Sequence, residues 1–190
     1  MARTTDANEV RLTGENSFIR LFDRQGGTET TRASHWRILL SPGGRGHALF
    51  IQSDATDGKP RVYSDNIAVA RYLQEELESM LFPAFADTSL PVMRAKFRRS
   101  GDIASQWTES VRAADESVIL NWYDFCEPFV INVPPGARPL GVISTFVPAR
   151  KAQVTVGGRV ASGAPSPDKR DDYESSTACL AWSETWLRPR

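Results

Sequence analysis

Between Ser17 and Leu187, short apolar runs follow one another across turns rich in Gly, Pro and charge, and only one stretch carries helical spacing. Parallel neighbours need long crossovers, usually helices, and no strand-helix-strand alternation is present. The pattern therefore predicts a mainly β (α+β) fold. We expect an antiparallel β-barrel or a two-sheet sandwich of about nine or ten strands, with one covering helix. The chain shows no internal repeat and no linker, so residues 1–190 are expected to form a single domain, with 1–15 as a flexible lead.

The runs can be placed in order. SFIRLF (17–22) reads as a strand. HWRILL (35–40) and ALFIQ (48–52) flank a Pro/Gly cluster and read as a hairpin. Arg61-Val62-Tyr63 is a short strand, and Ser64 or Asp65 then caps a helix that reaches Leu81, where Pro83 stops it. Ile67, Ala70, Leu73, Leu77, Met80 and Leu81 form its apolar stripe. Arg71, Gln74, Glu75, Glu76 and Glu78 form its expected wet face.

A meander follows, with strands near 92–99 and 103–111 and a third that opens the segment 116–133. Gly157-Gly158 sits between alternating runs and predicts a tight hairpin, because the favoured turns need positive φ. Residues 162–174 read as a polar loop and 175–187 as the last strand. On that strand Leu180, Trp182, Glu184 and Trp186 are expected on one face.

Composition narrows the function. Lys plus Arg and Asp plus Glu are each 23, for no formal net charge, and this balance argues against nucleic acid as a partner. No apolar run has the length of a membrane span, and the first residues lack the apolar core of a secretory signal. The expectation is a cytoplasmic protein with no membrane partner, whose two cysteines, Cys126 and Cys179, are buried free thiols.

Nucleotide-binding, nucleophile-elbow and zinc-protease motifs are absent, so no cofactor is expected. His35 and His47 bracket the first hairpin and could meet across it. Two histidines alone do not make a metal centre, and none is assigned.

The segment ESVILNWYDFCEPFVINV (116–133) is the strongest candidate for a site. It places Asp124 and Glu127 among aromatic residues, where desolvation lifts a carboxyl pKa into the useful range for proton transfer. We take Asp124, Glu127 and Tyr123 as candidate catalytic residues. Trp122, Arg94, Arg98, Trp107 and Trp182 are candidates for binding substrate. The leading functional reading is an enzyme without a tightly bound cofactor, acting by proton transfer on a small organic molecule in a β-barrel pocket (isomerase, hydratase, lyase or cyclase chemistry). A binder of a small apolar or aromatic ligand is the alternative. A protein-interaction or assembly module is the third reading, and a homo-oligomer is allowed.

Overall fold

The fold was described from a computed structural model, which places residues 8–189. The chain runs through β1 (Glu9–Phe22), β2 (Glu29–Leu40), β3 (Gly46–Ser53) and β4 (Arg61–Ser64) before its helical segment. It then enters β5 (Val92–Arg94), β6 (Lys96–Asp102), β7 (Gln106–Arg112), β8 (Ser117–Phe125) and β9 (Phe129–Val133). The last part comprises β10 (Gly141–Val156), β11 (Arg159–Val160), β12 (Pro167–Arg170), β13 (Tyr173–Ser176) and β14 (Ala178–Arg188).

Twelve strands form one sheet in the order β5-β4-β3-β2-β1-β14-β10-β8-β7-β6, with β9 and β11 also paired to β10. The two ends of this path, β5 and β6, are consecutive in the chain and separated only by Ala95. The sheet thus comes round on itself as a nearly closed barrel. Ala95 is itself held to β4, its N–H donating to the Ser64 carbonyl at 3.0 Å. Closure leaves little open edge for another chain to extend.

The architecture corrects three expectations. There are fourteen strands among the described residues, because the runs expected at 92–99 and 116–133 each split in two and the hairpin β12–β13 forms at 167–176, where 162–174 was expected to be loop. The sheet is mixed, since β4 and β5 pair in parallel. β1 begins at Glu9, so residues 9–15 of the expected flexible lead are strand, and 1–7 lie outside the described residues.

Alternation gives the barrel two faces with separate apolar cores. Inside lie Ile19, Leu21, Leu49, Ile51, Val118, Leu120, Trp122 and Leu180. Outside, Leu12, Trp36, Ile38, Phe50, Val62 and Trp186 pack against the helical segment. That segment is α1 (Ile67–Leu73), a π turn (Gln74–Glu78) and a final α turn, α2 (Ser79–Leu81). Its cap is Asn66, whose side chain accepts from the Ala68 N–H; this is one or two residues beyond the expected cap.

Val69, Ala70, Leu73, Gln74, Leu77 and Glu78 are all buried, at spacings of three and four. Gln74 and Glu78 therefore belong to the stripe that faces the sheet, not to the wet face. The Gln74 amide explains its own burial: Nε2 donates to the carbonyls of Phe85 and Asp87, both at 2.9 Å, and pins the return loop. Among the described residues no helix is long and apolar enough to cross a membrane.

Three irregularities set the functional surfaces. The 116–133 segment breaks after β8, at Cys126–Pro128, and resumes as β9. β10 is long enough to pair with β8 through Ala149–Val156 and with β9 through Val142–Phe146. On β14, Ser183 is left-handed (φ 52°), and the pairing with β10 slips between Ile143 and Thr145. That bulge sends Trp182 into the barrel and Trp186 to the outer core, so the single face expected for Leu180, Trp182, Glu184 and Trp186 is split. The Gly157-Gly158 turn is as expected, with φ of 56° and 82°.

Candidate functional site

A groove of about 770 Å³ lies on the outer wall of the barrel. Its floor is β1, β2, β10 and β14. The end of the helical segment forms one side, and β9 with the β12–β13 hairpin forms the other. Its volume is that of a small-molecule site. A shallower hollow of similar volume, about 790 Å³, lies over β2, β3 and the 3₁₀ turn Asp54–Thr56, without a fully buried ionisable group.

An aromatic file runs along the groove. Phe18 meets Phe146 edge-on at 6.0 Å, Phe146 meets Phe129 at 5.9 Å, and Phe129 stacks on Tyr173 at 4.9 Å. At the far side, the Arg32 guanidinium lies 4.1 Å from the Phe82 ring centroid. Arg20 and Arg32 share the carboxylate of Glu29, and on the other side lie Arg138 and Arg170, the latter 3.6 Å from Asp168.

Two carboxyl groups are sunk into this groove. Glu78, in the π turn, accepts at Oε1 from Trp36 Nε1 (2.7 Å) and from Ser34 Oγ (2.8 Å), and Asn16 donates to the same Ser34 oxygen at 3.0 Å. Burial pushes the Glu78 carboxyl up to about 7, against the opposing pull of the Trp36 and Ser34 bonds. Glu184, the residue after the β14 bulge, accepts at Oε1 from Trp186 Nε1 at 2.5 Å. Burial pushes it up to about 8. Glu78 is 1% exposed and Glu184 4%, and a carboxyl so placed keeps its proton near neutral pH.

The residues singled out from sequence are dispersed. Asp124 sits exposed at the end of β8 in a left-handed conformation (φ 55°), paired with Arg150 at 3.1 Å and Lys151 at 3.4 Å. The Arg150 bond and the neighbouring lysine hold its carboxyl below the ordinary value. Arg150 also grips Glu174 through two bonds of 2.7 Å, so Asp124 braces the β12–β13 hairpin rather than facing a cavity. Glu127 is exposed, Tyr123 is half-buried, and neither borders the groove. Arg94 ends β5 and Arg98 lies in β6, two strands where one was expected, and both are exposed.

The three tryptophans fare differently. Trp122 is buried in the barrel, its indole N–H reaching the Phe18 carbonyl at 3.2 Å. Trp107 and Trp182 meet edge-on at 5.3 Å at one end of the barrel interior. Around them are His35, His47, Phe97, Arg99 and Glu109. His35 and His47 do meet across the hairpin, with ring centroids 6.4 Å apart. Among the described residues no group of three or more His, Cys, Asp or Glu is arranged to hold a metal ion. Cys126 and Cys179 are both buried and free, and burial raises both thiols.

The groove carboxyls were not among the sequence candidates. Glu78 was hidden in a run of charged helix residues. A usable signal did exist for Glu184: an indole N–H can only donate, and a carboxylate two residues away on a strand is its nearest same-face acceptor. The spacing occurs four times; the bond forms in Trp107/Glu109 and Glu184/Trp186, whereas Trp122 beside Asp124 turns its indole to the Phe18 carbonyl and the bulge separates Trp182 from Glu184. Comparisons with protein family models, with curated proteins and with solved structures return no match for this chain.

Proposed function

We propose that the protein is a small-molecule enzyme of the proton-transfer type, working in the outer groove with Glu184 and Glu78 as its acid and base. The observation that supports this reading is the pair of buried carboxyls lining one groove, each raised close to neutral pH and each fixed by an indole N–H. A carboxyl titrating near the working pH is the efficient proton donor or acceptor. Glu184, the weaker acid, gives a proton to a substrate oxygen or unsaturated carbon. Glu78, ionised for a larger part of the time, removes one from a neighbouring carbon. The exchange consumes no net proton, which suits isomerisation, and water addition or loss follows from the same roles.

The walls set the substrate class. Phe18, Phe129, Phe146 and Trp186 favour an apolar or aromatic body, and Arg138 favours an anionic group at the rim. A ligand-binding protein would use the same walls and leave both carboxyls as hydrogen-bond donors, so the test must separate the two. 8-Anilinonaphthalene-1-sulfonate, apolar with one anionic group, serves as the reporter of groove occupancy in a displacement screen. Compounds that displace it are assayed for turnover. With Glu184→Gln, turnover is expected to fall by roughly 10²–10⁴-fold while affinity holds. Unchanged turnover in both Glu184→Gln and Glu78→Gln overturns the assignment. Displacement without turnover for every compound favours the binder.

A further inference from the structure

The end of the barrel interior carries a second set of polar groups, apart from the groove and independent of its function. His35, on β2, is 3% exposed, and its Nε2 is a buried atom with no hydrogen-bond partner. An orphaned buried nitrogen of this kind is rare and costly. The nearest carboxylate oxygen is Glu109 Oε2 on β7, at 3.9 Å, too long for a hydrogen bond. Glu109 Oε1 is already engaged by Trp107 Nε1 at 2.9 Å. Two polar atoms on opposite strands thus point at a common place without satisfying each other.

The surroundings are aromatic and reach solvent. Phe97 stands 5.7 Å from the His35 ring, and His47 stacks on Phe97 at 5.0 Å. Trp107 and Trp182 close the other side. These four rings are half-buried. Arg99 lies over Trp107 at 5.7 Å, and Arg99 and Arg37 share the single carboxylate of Glu15. On the other side the Asp65 carboxylate bonds His47 Nδ1 at 2.7 Å, so both signs of charge border the mouth.

We infer that His35, Glu109, Trp107 and Trp182 form a binding site for a small aromatic molecule bearing one hydroxyl group, of the phenol class. A hydroxyl both donates and accepts, so it satisfies Nε2 in either imidazole tautomer and can bond Glu109 Oε2 as well. The ring stacks among the aromatic walls.

The test uses the full chain, ¹⁵N-labelled, with phenol and toluene as probes. Phenol is expected to shift the Trp107 indole and His35 imidazole signals saturably. Toluene, without the hydroxyl, is expected to bind at least about tenfold more weakly, the equivalent of one hydrogen bond. His35→Phe weakens phenol by a similar factor, whereas Glu78→Gln and Glu184→Gln leave it unchanged, which keeps this site distinct from the groove. Three outcomes overturn the inference: no saturable shift, equal binding of toluene and phenol, or shifts confined to the Trp36 and Trp186 indoles. If His35→Phe does not fold, the comparison of phenol with toluene on the unmodified protein still decides.

Discussion

The two walls of this barrel use one local device to opposite ends. Inside, Trp107 holds Glu109; outside, Trp186 holds Glu184; in each case the residues are two apart on one strand face. Burial lifts Glu109 to about 7 and Glu184 to about 8. The inner carboxyl is hemmed in by rings and faces an unpartnered imidazole, whereas the outer one opens on a groove shared with Glu78. The indole bond therefore holds each carboxyl in place while burial raises it, and neither says what the acid is for. The space beside it does.

The strongest challenge to this comparison is to exchange the walls. Inserting one residue after Ser183 carries Glu184 and Trp186 over to the interior face. Because a one-residue slip reverses every following side chain, cooperative thermal unfolding by circular dichroism is expected to disappear.

Proton linkage gives the next largest effect. Glu78, Glu109 and Glu184 bind their protons more tightly in the folded chain than at the ordinary 4.5. Their contribution is complete below about pH 4.5 and fades as pH rises through 7 and 8. His35 acts in the other direction: burial lowers it from 6.5 to about 3, so its contribution holds above pH 6.5 and is lost as pH falls through that window. Urea titrations from pH 5 to 9 should therefore show falling stability. Each Glu→Gln change should flatten the curve by on the order of 1–3 kcal/mol. A flat unmodified profile would show that these carboxyls are ionised and solvated.

Removing the indole donors sharpens the contrast at smaller cost. Trp186→Phe and Trp107→Phe each leave a buried carboxyl oxygen without its bond, for about 1–3 kcal/mol by chemical denaturation. Only the first should change binding of the sulfonate probe in the groove. The smallest effect belongs to Asp124→Asn. Its exposed ion pairs lie outside both sites, so melting temperature and probe binding should match the unmodified protein, with faster hydrogen exchange confined to the β12–β13 hairpin.

Much of the barrel was legible because its strands alternate cleanly and its turns carry the residues their geometry needs, as at Gly157-Gly158. The β12–β13 hairpin was illegible for a physical reason. It stands away from the barrel with most of its residues exposed, so no apolar alternation marks it. The face of Glu184 could not be read past Ser183, because nothing in a serine announces positive φ. Glu78 and Gln74 lay at core spacing throughout, but their polarity disguised it. Asp124 drew notice through its aromatic neighbours in sequence, which the strand sends to other faces.

The pairing of β1 with β14 has a consequence for how the chain reaches this fold. Glu9 lies opposite Arg188 and Val10 opposite Leu187, so the first and last described strands are neighbours in the sheet. Every strand from β1 to β14 must therefore be synthesised before the barrel can close, with the edge of β1 that β14 occupies left open in the meantime. Pairings this distant in sequence slow folding and prolong that exposure. The interval between synthesis of β1 and of β14 is when the open edge of β1 is exposed to pairing with another chain.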